Sequence, residues 1–198
     1  MVNNNDQQAL SKQQIDSVIA LYSSGQFQEA IDVIKVLNEK FSNVPLFFNI
    51  LGACYKSLGQ LEESVKMFET AVIIKPDYAE AYKNLGISFK SLGQLDAAVQ
   101  SFKQAIIIER GFVDAHYNLA VTLKELGQLN DAAKSYKKVI TINPNFAEAH
   151  NNLGNVLKDL EYLDDAVKSY KKAITINPNF AEAHNNLGNV LKDLEYLD

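Results

Sequence analysis

Three histidines, His116, His150 and His184, recur at intervals of 34 residues, and four asparagines, Asn84, Asn118, Asn152 and Asn186, recur at the same interval. Imidazole invites a metal, but the ligands of one zinc ion must all come within about 2 Å of it. Side chains 34 residues apart, each in the same local context, belong to successive copies of one unit and do not converge. They read as packing residues. Asparagine offers both a donor and an acceptor, so it can pair with a peptide backbone whatever side chains that backbone carries. Cys54 is the single cysteine, which rules out an internal disulfide. No Ser/His/Asp constellation, glycine-rich phosphate loop or paired acidic motif stands apart from the repeat. The expectation is no catalytic residue, no metal and no cofactor.

The elements that carry these residues follow from the columns around them. Leu51, Leu85, Leu119, Leu153 and Leu187 align, and after them stand Gly52, Gly86, Ala120, Gly154 and Gly188. Small residues there let another helix approach closely. Further along come the glycines Gly25, Gly59, Gly93 and Gly127, then Ala30, Ser64, Ala98, Ala132 and Ala166, then Phe68, Phe102, Tyr136 and Tyr170. Within a unit the apolar spacing is helical: Ala149, Leu153, Leu157 and Leu160 form one stripe, and Leu163, Ala166, Val167, Tyr170, Ala173 and Ile174 a second. Glycine between the stripes tolerates positive φ and ends the first helix, while Pro76, Pro144 and Pro178 end the second. A fixed period of this length marks a stacked array, in which function resides on a surface.

With these columns in place the chain resembles the tetratricopeptide repeat family over about 11–198. The resemblance implies an all-α fold, a right-handed superhelical solenoid of antiparallel helix pairs with a 34-residue repeat. The aromatic expected early in each unit is present as Phe48 and Tyr82, then replaced by the three histidines. Arg110 stands where a proline is expected, and Glu161 and Glu195 where the turn glycine is expected. These departures concern the turns.

In arrays that this chain resembles, the first helices line a concave face. Asn84, Asn118, Asn152 and Asn186 would lie there, and they match an inner ladder that resembles the repeat region of O-linked N-acetylglucosamine transferases, where asparagines hold substrate peptides. Ile50 and Asp16 depart from the ladder in the first two units. The same face should include the column Lys90, Lys124 and Lys158, with Glu80, Asp114, Glu148 and Glu182 near the opposite helix ends. Asn151 and Asn155 make the later units the more polar. The competing reading is that the asparagines bridge adjacent helices and the lysines are solvated helix ends. A clamp for acidic carboxy-terminal tails is absent: Lys83 is followed by Ile87 where asparagine is needed, and the only arginine, Arg110, lies between helices.

Composition agrees with a water-exposed helical array: 47% hydrophobic and 22% charged residues, with a net charge of −5 that gives no reason to expect nucleic-acid binding. The amino terminus has neither a basic start nor an apolar stretch and no run is long enough to cross a bilayer, so a cytoplasmic location with no membrane partner is expected. Residues 1–10 read as a flexible tail, with Ser11 capping the first helix, and 11–198 as one array of five helix pairs plus a final helix. The first unit is polar at Gln13, Gln14, Asp16 and Ser17, as an end cap requires. Residues 140–164 and 174–198 are identical.

Two functional classes follow. One is a non-catalytic scaffold that binds an extended segment of another protein; the other is the substrate-recruiting part of a larger glycosyltransferase or sulfotransferase. End-to-end self-association through the final helix is a third reading.

Overall fold

The computed structural model describes residues 10–195, the side chain of Glu195 excepted, and all elements among them are helices. Nothing is described at 1–9, where most of the expected tail falls, or at 196–198. First helices begin at Pro45, Ala79, Val113, Ala147 and Ala181, one repeat apart.

The chain forms two compact units, divided between Ser88 and Phe89. The first holds α1 (Lys12–Ser23), α2 (Phe27–Lys40), α3 (Pro45–Ser57), α4 (Leu61–Ile74) and most of α5 (Ala79–Ser91). Ser11 opens α1 with a capping box: its hydroxyl accepts from the Gln14 amide, and the Gln14 side chain accepts from the Ser11 amide. Such a cap contributes about 1 kcal/mol. Val18 alone is buried on α1, while Gln13, Asp16 and Ser17 face water. The core joins Val18 to Ile31 and Ile34 of α2 and to Phe47, Ile50, Leu51 and Cys54 of α3, with Leu10 packed at its edge. Burial pushes the Cys54 thiol up to about 11, so it stays protonated and unreactive at neutral pH.

The second unit runs from Phe89 through α6 (Leu95–Ile108), α7 (Val113–Glu125), α8 (Leu129–Ile142), α9 (Ala147–Asp159), α10 (Leu163–Ile176) and α11 (Ala181–Glu195). Three-residue connections force α7 with α8, and α9 with α10, into antiparallel pairs. Between α9 and α10 glycine opposite an aromatic sets the separation: a Cβ added to Gly154 would lie 2.5 Å from the Tyr170 ring, and one at Gly52 of the first unit 2.7 Å from Phe68. Tyr136, Tyr170 and the alanines Ala132, Ala149, Ala166 and Ala173 are at most 1% exposed. Large rings thus fill the space that glycine and alanine leave between helix backbones.

The expected irregularities at Arg110 and Glu161 leave the turns intact, while the turn expected at Glu195 extends outside the described residues. The first helices α1, α3, α5, α7 and α9 each end with the paired bonds of a Schellman motif, as where Gly127 donates to the Lys124 carbonyl and Gln128 to that of Leu123. After α9 the same two bonds run from Glu161 to Lys158 and from Tyr162 to Leu157. Glu161 takes φ 63°, close to the 72° of Gly127, so the paired bonds hold a residue with a Cβ in the left-handed region. At the other turn Glu109, before Arg110, has φ −127° and ψ 93°, and Asn177, before Pro178, has −126° and 94°. Proline favours this extended geometry; it is not needed to impose it.

Candidate functional site

Successive first helices of the second unit meet at two offsets: 35 residues, one more than the repeat, and between α9 and α11 also 31. Lys90 pairs with Glu125 at 2.8 Å, Lys124 with Asp159 at 3.8 Å and Lys158 with Asp193 at 3.2 Å. Asn152 Nδ2 donates to the Tyr117 hydroxyl at 2.9 Å, and Asn186 Nδ2 to Asn151 Oδ1 at 3.0 Å. The first unit contains the step of 35, from Asn84 Nδ2 to Asn49 Oδ1 at 3.1 Å.

The lysines Lys90, Lys124 and Lys158 therefore tie one first helix to the next. Their partial exposure keeps each pair to about 0.2–1 kcal/mol. The partner acids Glu125, Asp159 and Asp193 were legible in the sequence at an offset of 35, though not at the repeat interval of 34.

The asparagines form a denser network toward α11. Asn151 is 1% exposed; its Nδ2 donates to Glu182 Oε1 at 2.9 Å while its Oδ1 accepts from Asn186. Asn186 also donates to Asn155 Oδ1 at 3.0 Å, and that same oxygen accepts from the Tyr170 hydroxyl at 2.8 Å. The core tyrosine of α10 is thus wired into the polar face made by α9 and α11. Asn118 stands apart: its Nδ2 donates to the Asp114 carbonyl one turn back on its own helix, at 2.8 Å. Asn84, Asn118, Asn152 and Asn186 are all half-buried, each with its amide nitrogen committed inside the protein.

Tyr117 lies at the centre of this face. Its ring stacks on Phe146 at 5.0 Å between centroids and meets the Tyr136 ring edge-on at 5.8 Å. Burial raises the Tyr117 phenol, the charge of Glu148 adds to the rise, the Asn152 bond opposes it, and Glu182 raises it further. Burial likewise raises Tyr170, to about 12, with Asp159 and Glu182 contributing. Both phenols are neutral at physiological pH, in an acidic surround.

Each histidine fastens the turn before its helix. His116 Nε2 bonds the Arg110 carbonyl at 3.1 Å, His150 the Pro144 carbonyl at 3.1 Å and His184 the Pro178 carbonyl at 2.9 Å. A carbonyl only accepts, so Nε2 carries the hydrogen in each. The imidazole fills the aromatic position and adds a bond that phenylalanine lacks. Among the described residues no group of three or more His, Cys, Asp or Glu is placed to hold a metal. A cavity of about 470 Å³ opens elsewhere, between α6 and α8, lined by Lys103, Ile106, Ile107, His116 and Lys138; no asparagine of the ladder reaches it.

Comparisons with known proteins agree with this geometry. Residues 122–161 and 157–194 match a family model described as TPR repeat, and 45–108 match one described as tetratricopeptide repeat. No curated protein sequence matches. Among solved structures, MamA is 26% identical, with 83% of this chain and 96% of that one covered at a TM-score of 0.77. YrrB, described as a TPR protein with an unusual peptide-binding site, is 22% identical over 91% of this chain and 92% of its own, also at 0.77. A thermophilic TPR protein of Thermus thermophilus is 19% identical, with 91% and 98% covered at 0.65. No described helix is long and apolar enough to cross a membrane.

Proposed function

The chain belongs to the tetratricopeptide repeat family, and from that premise we propose that it is a non-catalytic scaffold binding an extended segment of another protein along the face of its first helices. The observation that carries this reading is the polar network of α7, α9 and α11. A half-buried row of amides, cross-linked from helix to helix, is held rigid before any ligand arrives. Rigidity lowers the ordering cost that binding must overcome. With neighbouring helices roughly 8–10 Å apart and an extended chain advancing about 3.3 Å per residue, each rung meets every third residue of a ligand. YrrB shares the fold, and its description with a peptide-binding site is consistent with the proposal.

The test is titration of an extended peptide against the parent and against Asn118→Ala with Asn152→Ala. The double variant should bind at least about tenfold more weakly, a loss of about 1.4 kcal/mol, with helicity retained. Unchanged affinity would remove the ladder from the binding face.

The alternative, that the chain recruits substrate for a catalytic domain of glycosyltransferase or sulfotransferase type, uses the same face, and the full gene separates the two. Self-association has its own supporting observation: Leu191 of α11 is 40% exposed and the space over Gly188 is open. Sedimentation across a concentration series tests it, and a monomer at every concentration counts against it.

A further inference from the structure

We propose that the first-helix face of the second unit selects a cationic segment, seating an arginine or lysine side chain between Glu148 and Glu182 beside the Tyr117 ring. This deepens the peptide-binding reading above and rests on it.

The first observation is the direction of the amides. Asn118 spends its nitrogen on the Asp114 carbonyl, Asn152 on Tyr117, and Asn186 on Asn151 and Asn155. Asn151 spends its own on Glu182. No hydrogen bond among the described residues reaches the Oδ1 atoms of Asn118 or Asn186. The ladder therefore offers acceptors, and a ligand that pairs with it must bring N–H groups. A carboxylate-rich segment brings the wrong complement.

The second observation is the charge pattern. Lys90, Lys124 and Lys158 are each matched by a carboxylate on the following first helix. Glu148 and Glu182 enter no ion pair among the described residues, and both act on Tyr117. They occupy equivalent positions on α9 and α11, one repeat apart, so their backbones are separated by roughly 8–10 Å. A guanidinium between them reaches both carboxylates, each over a charge-assisted hydrogen bond of about 2.8 Å. The two observations are independent: the neutral amides ask for N–H donors, which any peptide backbone brings, and the formal charges ask for a cation.

Three synthetic peptides of about nine residues, enough to span three rungs at about 3.3 Å per residue, test this with the full chain. They are glycine/serine chains with arginine, glutamine or glutamate at every third position. The arginine peptide should bind at least about tenfold more tightly than the glutamine peptide. Glu148→Gln with Glu182→Gln should erase that preference, and Asp164→Asn, on α10, should leave it in place. Equal affinity for the arginine and glutamine peptides overturns the selectivity while leaving the binding face intact. Tighter binding of the glutamate peptide overturns it as well. An equal loss in Asp164→Asn also overturns it, by assigning the preference to the overall charge of −5. Failure of all three peptides to bind overturns this inference together with the reading beneath it.

Discussion

Helices α9 and α11 begin with the same thirteen residues, 147–159 and 181–193, and live in different surroundings. On α9, Leu157 is 5% exposed and Gly154 lies under the Tyr170 ring. On α11, Leu191 is 40% exposed and nothing lies within 4 Å of a Cβ built on Gly188. His150 is buried and His184 exposed. Sequence sets what each helix can do; the helix on its far side decides which of those capacities is used. Identical residues thus form an internal control, in which the contribution of a following partner helix, α10 for α9, is read as a difference between two copies.

The largest separation is expected at the paired glycines. Leucine at Gly154 drives a side chain into the Tyr170 ring and should cost about 3 kcal/mol, at the upper end of overpacking penalties. Leucine at Gly188 enters open space and replaces a poor helix former, so it should be neutral or stabilising by up to about 1 kcal/mol. Thermal melts of the two variants check this, and equal losses would show that both glycines are packed alike. Next comes the pair Asn155 and Asn189. Alanine at Asn155 strands the Tyr170 hydroxyl and removes an acceptor from Asn186, with an expected cost of about 1–2 kcal/mol. Alanine at the exposed Asn189 should change urea stability by less than about 0.5 kcal/mol. A large effect there would mean that α11 carries a partner of its own.

What the sequence made legible was whatever depends on period alone. The starts of the first helices, the close helix approach at the small-residue column and the Ser11 cap all follow from spacing and residue type. The interhelical rungs did not, because reading down columns at 34 residues misses bonds made at 35. The direction of the amides was equally hidden, since an asparagine in a sequence shows both of its functions and only its neighbours decide which one faces out. Glu161 is a third case. Sequence placed a non-glycine at a turn needing positive φ, and the structure shows that the turn keeps its form. Glu161→Gly should therefore stabilise the protein by about 1 kcal/mol, measured as a raised urea midpoint. A lowered midpoint would mean that the glutamate side chain contributes more than its backbone costs.

The smallest expected effect distinguishes His150 through pH. Its Nε2–H is held by the Pro144 carbonyl, so an added proton must go to Nδ1. Burial lowers its pKa from the ordinary histidine value, the Pro144 bond opposes that shift, and the charge of Lys172 reinforces it. A base whose folded pKa lies below its unfolded value binds fewer protons when folded. Its contribution to stability is complete above the unfolded pKa and is lost as pH falls through that value toward the folded one. Urea midpoints of the parent should accordingly drop between about pH 8 and about pH 5. His150→Phe, which restores the aromatic of the repeat and cannot titrate, should drop less, although it forfeits the carbonyl bond and starts from a lower midpoint. His184→Phe, on the exposed copy, should follow the parent curve, because His150 still titrates. If His150→Phe shows the same pH slope as the parent, then protonation at this position is not what couples α9 to its turn, and burial by α10 leaves the imidazole as free to titrate as it is in the unfolded chain.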